Sequence, residues 1–153
     1  MSIWMEEFDG WPVIYPFRDN HKNHYVYILF DPREKGKFDY GLIKGMYEVV
    51  FPYLPFYVGI STEDRSGDIK YKRITEHQNE FYSSKSNQNI LNESSNKIKH
   101  KKMMEIFSEC QIPFYWVIFR DCLNKEESQQ VERALIRRIG KSMYEEGPLT
   151  NIR

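Results

Sequence analysis

Two short runs in the first half of the chain constrain its fold more than any other feature: residues 24–30, HYVYILF, and residues 56–61, FYVGIS. Both are dense in β-branched and aromatic side chains, the composition of a strand, and the first is closed by Asp31-Pro32. A third run, FYWVIFR at 114–120, has the same character without polar alternation, the pattern of a central strand covered on both faces. Three helical patterns accompany them. Over 70–82, Tyr71, Ile74, Gln78 and Phe81 fall roughly on one face, with Lys72, Arg73 and His77 beside it. Residues 97–109 predict a basic amphipathic helix carrying Ile98, Met103, Ile106 and Phe107. From Asn124, a good N-cap with Glu127 three residues on, a stripe of Val131, Ala134, Leu135 and Ile139 runs to Gly140. The order strand, strand, helix, helix, strand, helix predicts an α+β fold: a small three-stranded antiparallel sheet flanked by helices.

The remaining segments elaborate one domain spanning 1–153. Residues 1–23 form an acidic, aromatic extension with Trp4, Phe8, Trp11, Tyr15 and Phe17; Pro12 and Pro16 argue against a long helix there. The core is expected over 24–151. Residues 32–55 are punctuated by Gly36, Gly41 and Gly45, and 46–51 read as an additional strand stopped by Pro52 and Pro55. Residues 83–96, rich in Ser and Asn, read as a loop.

Charge and cysteine usage narrow the function classes. The 22 basic and 22 acidic residues cancel, so bulk charge does not hold this chain to nucleic acid, although a local basic face suffices for binding. Such faces occur at 97–102, KIKHKK, and at Arg133, Arg137, Arg138 and Lys141. Cys110 and Cys122 have no paired-cysteine spacing, and no signal peptide or bilayer-length apolar run accompanies them. The expectation is a soluble, cytoplasmic protein with neither a disulfide framework nor structural zinc. P-loop, GxSxG and HExxH patterns are missing, and His21 and His24 lack partner spacing for a metal site.

Several residue types are suited to phosphodiester chemistry. Side chains alternate along a strand, so Tyr25 and Tyr27 share one face while Val26 opposes them. A tyrosine hydroxyl orients water, and a nearby cation makes its phenolate more accessible; the plain alternative is an ordinary strand tyrosine. Arg73 and His77 lie one helical turn apart and can face one site. Arginine offers planar donors to a phosphate, and histidine orients water or carries a proton; a solvated helix face is the alternative. Glu132 sits at the edge of the stripe made by Val131, Leu135, Ile136 and Ile139, where it either pairs with Arg133 or Lys125 or faces a cleft.

In this order the residues resemble the GIY-YIG nuclease family. Tyr25-Val26-Tyr27 matches the first motif, with tyrosine for the usual glycine, and Tyr57-Val58-Gly59 the second; both carry valine for the usual isoleucine. Arg73, His77, Glu132 and Asn151 match the downstream positions. The resemblance covers roughly 24–151 and implies a magnesium- or manganese-dependent endonuclease acting on DNA, with one metal per site. It identifies Glu132 as the metal ligand, Tyr27 or Tyr57 as the residue that positions or deprotonates the attacking water, His77 as its assistant and Arg73 as the phosphate stabiliser. Lys72 and Asn151 are candidate substrate contacts; a turn residue near the terminus is the other reading of Asn151. The segment between the motifs, 28–56, is long beside minimal members and, with the extension, is a candidate for wrapping DNA or forming a homodimer. Homing, restriction and phage settings all host such chains, many with a further DNA-binding domain. Either this chain reads DNA with its insertions, or such a domain belongs downstream. A non-catalytic nucleic-acid-binding module on the same fold and an aromatic-rich protein-interaction domain are the rival readings.

Overall fold

The computed structural model describes residues 22–44, 46–63, 70–86, 97–140 and 147–151. The extension expected over 1–23 therefore lies almost wholly outside the described residues, as do most of the Ser/Asn-rich segment and the basic residue Lys141. The elements are β1 (His24–Lys44), β2 (Tyr47–Thr62), α1 (Lys72–Ser86), α2 (Lys97–Cys110), β3 (Tyr115–Leu123) and α3 (Lys125–Ile139). The sheet is antiparallel throughout with strand order β2-β1-β3. The expected α+β architecture of three antiparallel strands with helices is the observed one.

The expected strand at 46–51 is not a separate element. It is the start of β2, and β1 runs on past Asp31-Pro32 to meet it, so the segment between the tyrosine motifs folds as an extended two-stranded arm. Pro52 and Pro55 do not stop β2 because β2 is an edge strand, whose missing amide hydrogens break no ladder on its outer side. The arm is irregular, with register shifts after Leu29, Asp31, Lys35 and Asp39. Gly41 takes φ +73° at the last of these, and its amide donates to Asp39 Oδ1 at 2.9 Å.

β1, not β3, is the central strand. Tyr25 to Phe30 are all buried, because both faces of β1 are covered. Val26, Ile28 and Phe30 join Leu42, Phe51, Val58, Val131, Leu135 and Ile139 in one core. Tyr25, Tyr27 and Leu29 join Phe56, Ile74, Phe81, Met103 and Ile106 in the other. The period of two along β1 thus divides the molecule: α3 packs on the valine–isoleucine face, and α1 and α2 pack on the tyrosine face. β3 pairs with β1 alone and is the second edge, with Tyr115, Trp116 and Val117 exposed at 42, 46 and 40 %. Its unbroken apolar run gathers beside Phe30, Phe51 and Tyr53 around an open groove of about 480 Å³. An apolar run by itself does not distinguish a covered strand from one facing such a groove.

α3 begins as its sequence requires. Asn124 Oδ1 accepts from the Glu127 amide at 2.8 Å, and Glu127 Oε1 accepts from the Asn124 amide at 3.0 Å. Gly140, at φ 92°, ends the helix and donates to the Ile136 carbonyl at 2.8 Å. Among the described residues no helix is long and apolar enough to cross a membrane.

A candidate active site on the tyrosine face of the sheet

The tyrosine face of β1 meets α1 at a buried polar contact. Tyr27 Oη and His77 Nε2 are 2.6 Å apart, and each residue is 1 % exposed. Gly59 stands directly opposite Tyr27 in the register, and the Tyr27 ring and hydroxyl occupy the space a side chain there would need. β2 skips Phe56 in its pairing with β1, passing from Tyr57↔Leu29 to Pro55↔Phe30. That bulge turns both Phe56 and Tyr57 toward the tyrosine core. The Tyr57 ring consequently lies 6.2 Å from Tyr27 and 5.6 Å from His77, centroid to centroid, and Phe114 closes on His77 at 6.5 Å.

Arg73, one turn before His77, enters the same neighbourhood. Its amide donates to Tyr25 Oη at 3.3 Å. Its guanidinium Nη1 donates to Glu76 Oε2 at 3.1 Å and to Glu80 Oε1 at 3.0 Å, which aims the side chain along α1. Burial works against the Arg73 charge, but Glu80, Tyr27 and Glu76 together hold its pKa above the ordinary guanidinium value. Lys72, beside it, is exposed at the start of α1.

Burial dominates the electrostatics. It pushes the Tyr27 phenol well above its ordinary value; Tyr57 and Tyr25 add to the effect and Arg73 opposes it. Burial also pushes His77 down to about 2, with Lys99, Arg73 and His100 acting in the same direction. At neutral pH the pair is therefore a neutral phenol bonded to a neutral imidazole. His77 orients Tyr27 and does not hold its proton as an imidazolium.

The His77 shift carries a stability prediction. The unfolded chain binds a proton at this imidazole near its ordinary value of 6.5, whereas the folded chain refuses it until about pH 2. Between those values the unfolded state binds more protons, so this site's stabilisation is intact above 6.5 and is lost as pH falls. Urea midpoints measured at descending pH are expected to fall more steeply for the natural chain than for His77→Gln; equal slopes would show that His77 is not the titrating group.

Lys99 belongs to this site, and sequence reasoning missed it. It belongs to the basic run 97–102, yet it is 5 % exposed. Its Nζ is 3.4 Å from His77 Nδ1 and 4.8 Å from the centroid of the Tyr57 ring. The signal was present: Lys99, Met103 and Ile106 stand at i, i+4 and i+7, so the lysine occupies the apolar stripe of α2.

The other two candidates come from other elements. Asn151 does not stand in the cluster: its Oδ1 accepts from the Val58 amide at 3.0 Å and its Nδ2 donates to the Val58 carbonyl at 2.7 Å. Thr150 adds its amide and hydroxyl to the Phe56 carbonyl at 2.7 and 2.8 Å, and Leu149 is buried in the α3-side core. Residues 149–151 thus strap the outer edge of β2 on both sides of Tyr57. Asn151 acts on Tyr57 by holding its strand. Glu132 is half-buried on α3, whose Val131, Leu135 and Ile139 pack on the valine–isoleucine face. The sheet separates that helix from α1 and α2, which carry Arg73, His77 and Lys99.

Among the described residues, the His, Cys, Asp and Glu groups close enough to share a metal are Glu63, Asp121 and Cys122, with ligand atoms within 4.8 Å of one another. They do not include Glu132. Lys70 Nζ already stands 3.8 Å from both carboxylates, and the Tyr71 hydroxyl donates to Asp121 at 2.8 Å. An ammonium in that place neutralises the charge a hard cation would use. Comparison with protein-family models, with curated proteins and with solved structures finds no match to this chain.

Proposed function

We propose that the chain is a divalent-metal-dependent endonuclease of the GIY-YIG type, hydrolysing DNA phosphodiester bonds. The observation that carries this reading is the Tyr27–His77 contact: two residues 50 apart in sequence, singled out together, meet at 2.6 Å with Arg73 one turn away. In this reading Tyr27 orients the attacking water, His77 fixes the direction of the Tyr27 hydroxyl, and Tyr57 walls the same site. Arg73 donates to the phosphate oxygens as charge builds on them, the contribution with the largest effect in such a displacement. Lys72, at the exposed start of α1, holds the neighbouring phosphate. Glu132 is the hard oxygen ligand through which the chain would hold Mg²⁺ or Mn²⁺; one carboxylate, with water and substrate completing the shell, suits those ions. When bound, the metal supplies Lewis-acid stabilisation of the phosphate and its leaving oxygen.

The seating of α3 on the opposite face of the sheet favours a second reading: a nucleic-acid-binding module on the same scaffold without metal chemistry. A supercoiled-plasmid nicking assay separates the two. The nuclease reading expects nicking that requires magnesium, with Arg73→Ala and Glu132→Ala each slower by roughly 10²–10³-fold. Full activity in Glu132→Ala would remove the metal role of that residue. Salt-sensitive DNA binding with no magnesium-dependent cleavage would establish the second reading in place of the first.

A further inference from the structure

We propose that Lys99 is a positioning residue that sets the tautomer of His77, and so decides whether Tyr27 donates or accepts the hydrogen bond between them.

The argument begins with proton counting. A neutral imidazole has one N–H and one lone pair. Both His77 nitrogens are engaged, Nε2 with Tyr27 Oη at 2.6 Å and Nδ1 with Lys99 Nζ at 3.4 Å. An ammonium only donates. While Lys99 is charged, Nδ1 must therefore present its lone pair, and the ring proton sits on Nε2. Nε2–H then donates to Tyr27 Oη, and the phenol's own proton points away from His77. A hydrogen bond donated to the phenolic oxygen favours its ionised form, opposing what burial does to it. When Lys99 loses its proton, the free amine can accept from Nδ1–H. Nε2 then takes the hydrogen bond from Tyr27, which locks the phenolic proton against the imidazole.

The surroundings place this change within reach of ordinary buffers. Lys99 is pushed down to about 8 by burial, with Arg73 lowering it further and Glu80 opposing. Those two face it from α1, together with His77; Tyr57 faces it from β2, and His100 adjoins it on α2. Packing alone does not account for an amine here. A methionine is of similar length, fits the stripe of Met103 and Ile106, and needs no desolvation of a charge.

The tautomer stands independently of the nuclease reading; its consequence for catalysis rests on that reading. The test is a two-bond ¹H–¹⁵N correlation spectrum of His77 in ¹⁵N-histidine-labelled protein, taken from about pH 6 to about pH 10, across the ordinary lysine range. The natural chain is expected to show the Nε2–H tautomer at the acid end and to change to Nδ1–H with a midpoint near 8. Lys99→Arg is expected to keep Nε2–H throughout, and Lys99→Met to lose the pH-dependent change. An Nδ1–H tautomer in the natural chain at neutral pH, or the same pH-independent tautomer in the natural chain and Lys99→Met, would overturn the proposal. If Lys99→Met does not fold, the titration of the natural chain decides alone. The nicking rate adds the catalytic arm: it is expected to decline above the same midpoint, and in Lys99→Arg to persist beyond it. The expected tautomer with no nicking would sink the nuclease reading and leave the Lys99–His77 coupling; nicking with Nδ1–H at neutral pH would do the reverse.

Discussion

Replacing Tyr27 with phenylalanine should slow magnesium-dependent nicking by roughly 10²–10⁴-fold, the range lost when a positioned proton-handling group is removed. The substitution deletes one oxygen and leaves the ring in place against Tyr25, Tyr57 and His77. The packing on the tyrosine face of β1 therefore survives, and a folded spectrum with unchanged cooperativity is expected alongside the lost rate. Stability should still fall by about 1–3 kcal/mol, because His77 Nε2 is left buried without its hydroxyl partner. Tyr25→Phe is the internal control. Its hydroxyl accepts from the Arg73 amide, so its loss should cost about 1 kcal/mol of stability and little rate. Stability comes from urea denaturation and rate from plasmid nicking. A folded Tyr27→Phe protein with full activity would take Tyr27 out of the chemistry.

Gly59→Ala should be the most damaging single-methyl change in the sheet. Gly59 pairs directly with Tyr27, and an alanine Cβ would overlap the Tyr27 ring and hydroxyl. The ring cannot simply yield, since His77 bonds its hydroxyl and Tyr25 and Tyr57 pack beside it. Overpacking of this kind costs about 1–3 kcal/mol, and rotating the ring away adds the loss of the buried hydrogen bond. Loss of His77 contact should also reduce activity in parallel with stability. The double variant Gly59→Ala/Tyr27→Ala isolates the cause. If the clash is the mechanism, the second substitution costs much less in the Gly59→Ala background than alone, a coupling of 0.5–3 kcal/mol in the usual range for contacting residues. Additive costs would place the effect elsewhere.

Glycine at this position is also the reason the second tyrosine motif reads as it does. It makes room for a tyrosine on the neighbouring strand. Likewise the bulge at Phe56 gives Tyr57 its place beside His77. Neither relation is visible in a strand pattern, because the pattern says which face a residue takes, while turns and bulges decide which residue of the neighbouring strand stands opposite it.

What the sequence determined by itself is local and periodic. The first part of β1 was legible because six consecutive buried residues leave an unbroken β-branched and aromatic run, although Asp31-Pro32 does not close the strand, and α3 because Asn124, Glu127 and Gly140 mark its ends by backbone hydrogen bonding. The grouping of Arg73 with His77 followed from one helical turn, and that of Tyr25 with Tyr27 from strand alternation. The tertiary structure decided the rest. It made β1 the central strand in place of β3, merged the expected extra strand into β2, and put Asn151 on the β2 edge. It also set Lys99 against His77 and seated α3, with Glu132, on the opposite face from α1 and α2. These outcomes depend on contacts between residues far apart in the chain. Spacing fixes which side chains share a face of one element; only the pairing of elements fixes what that face meets.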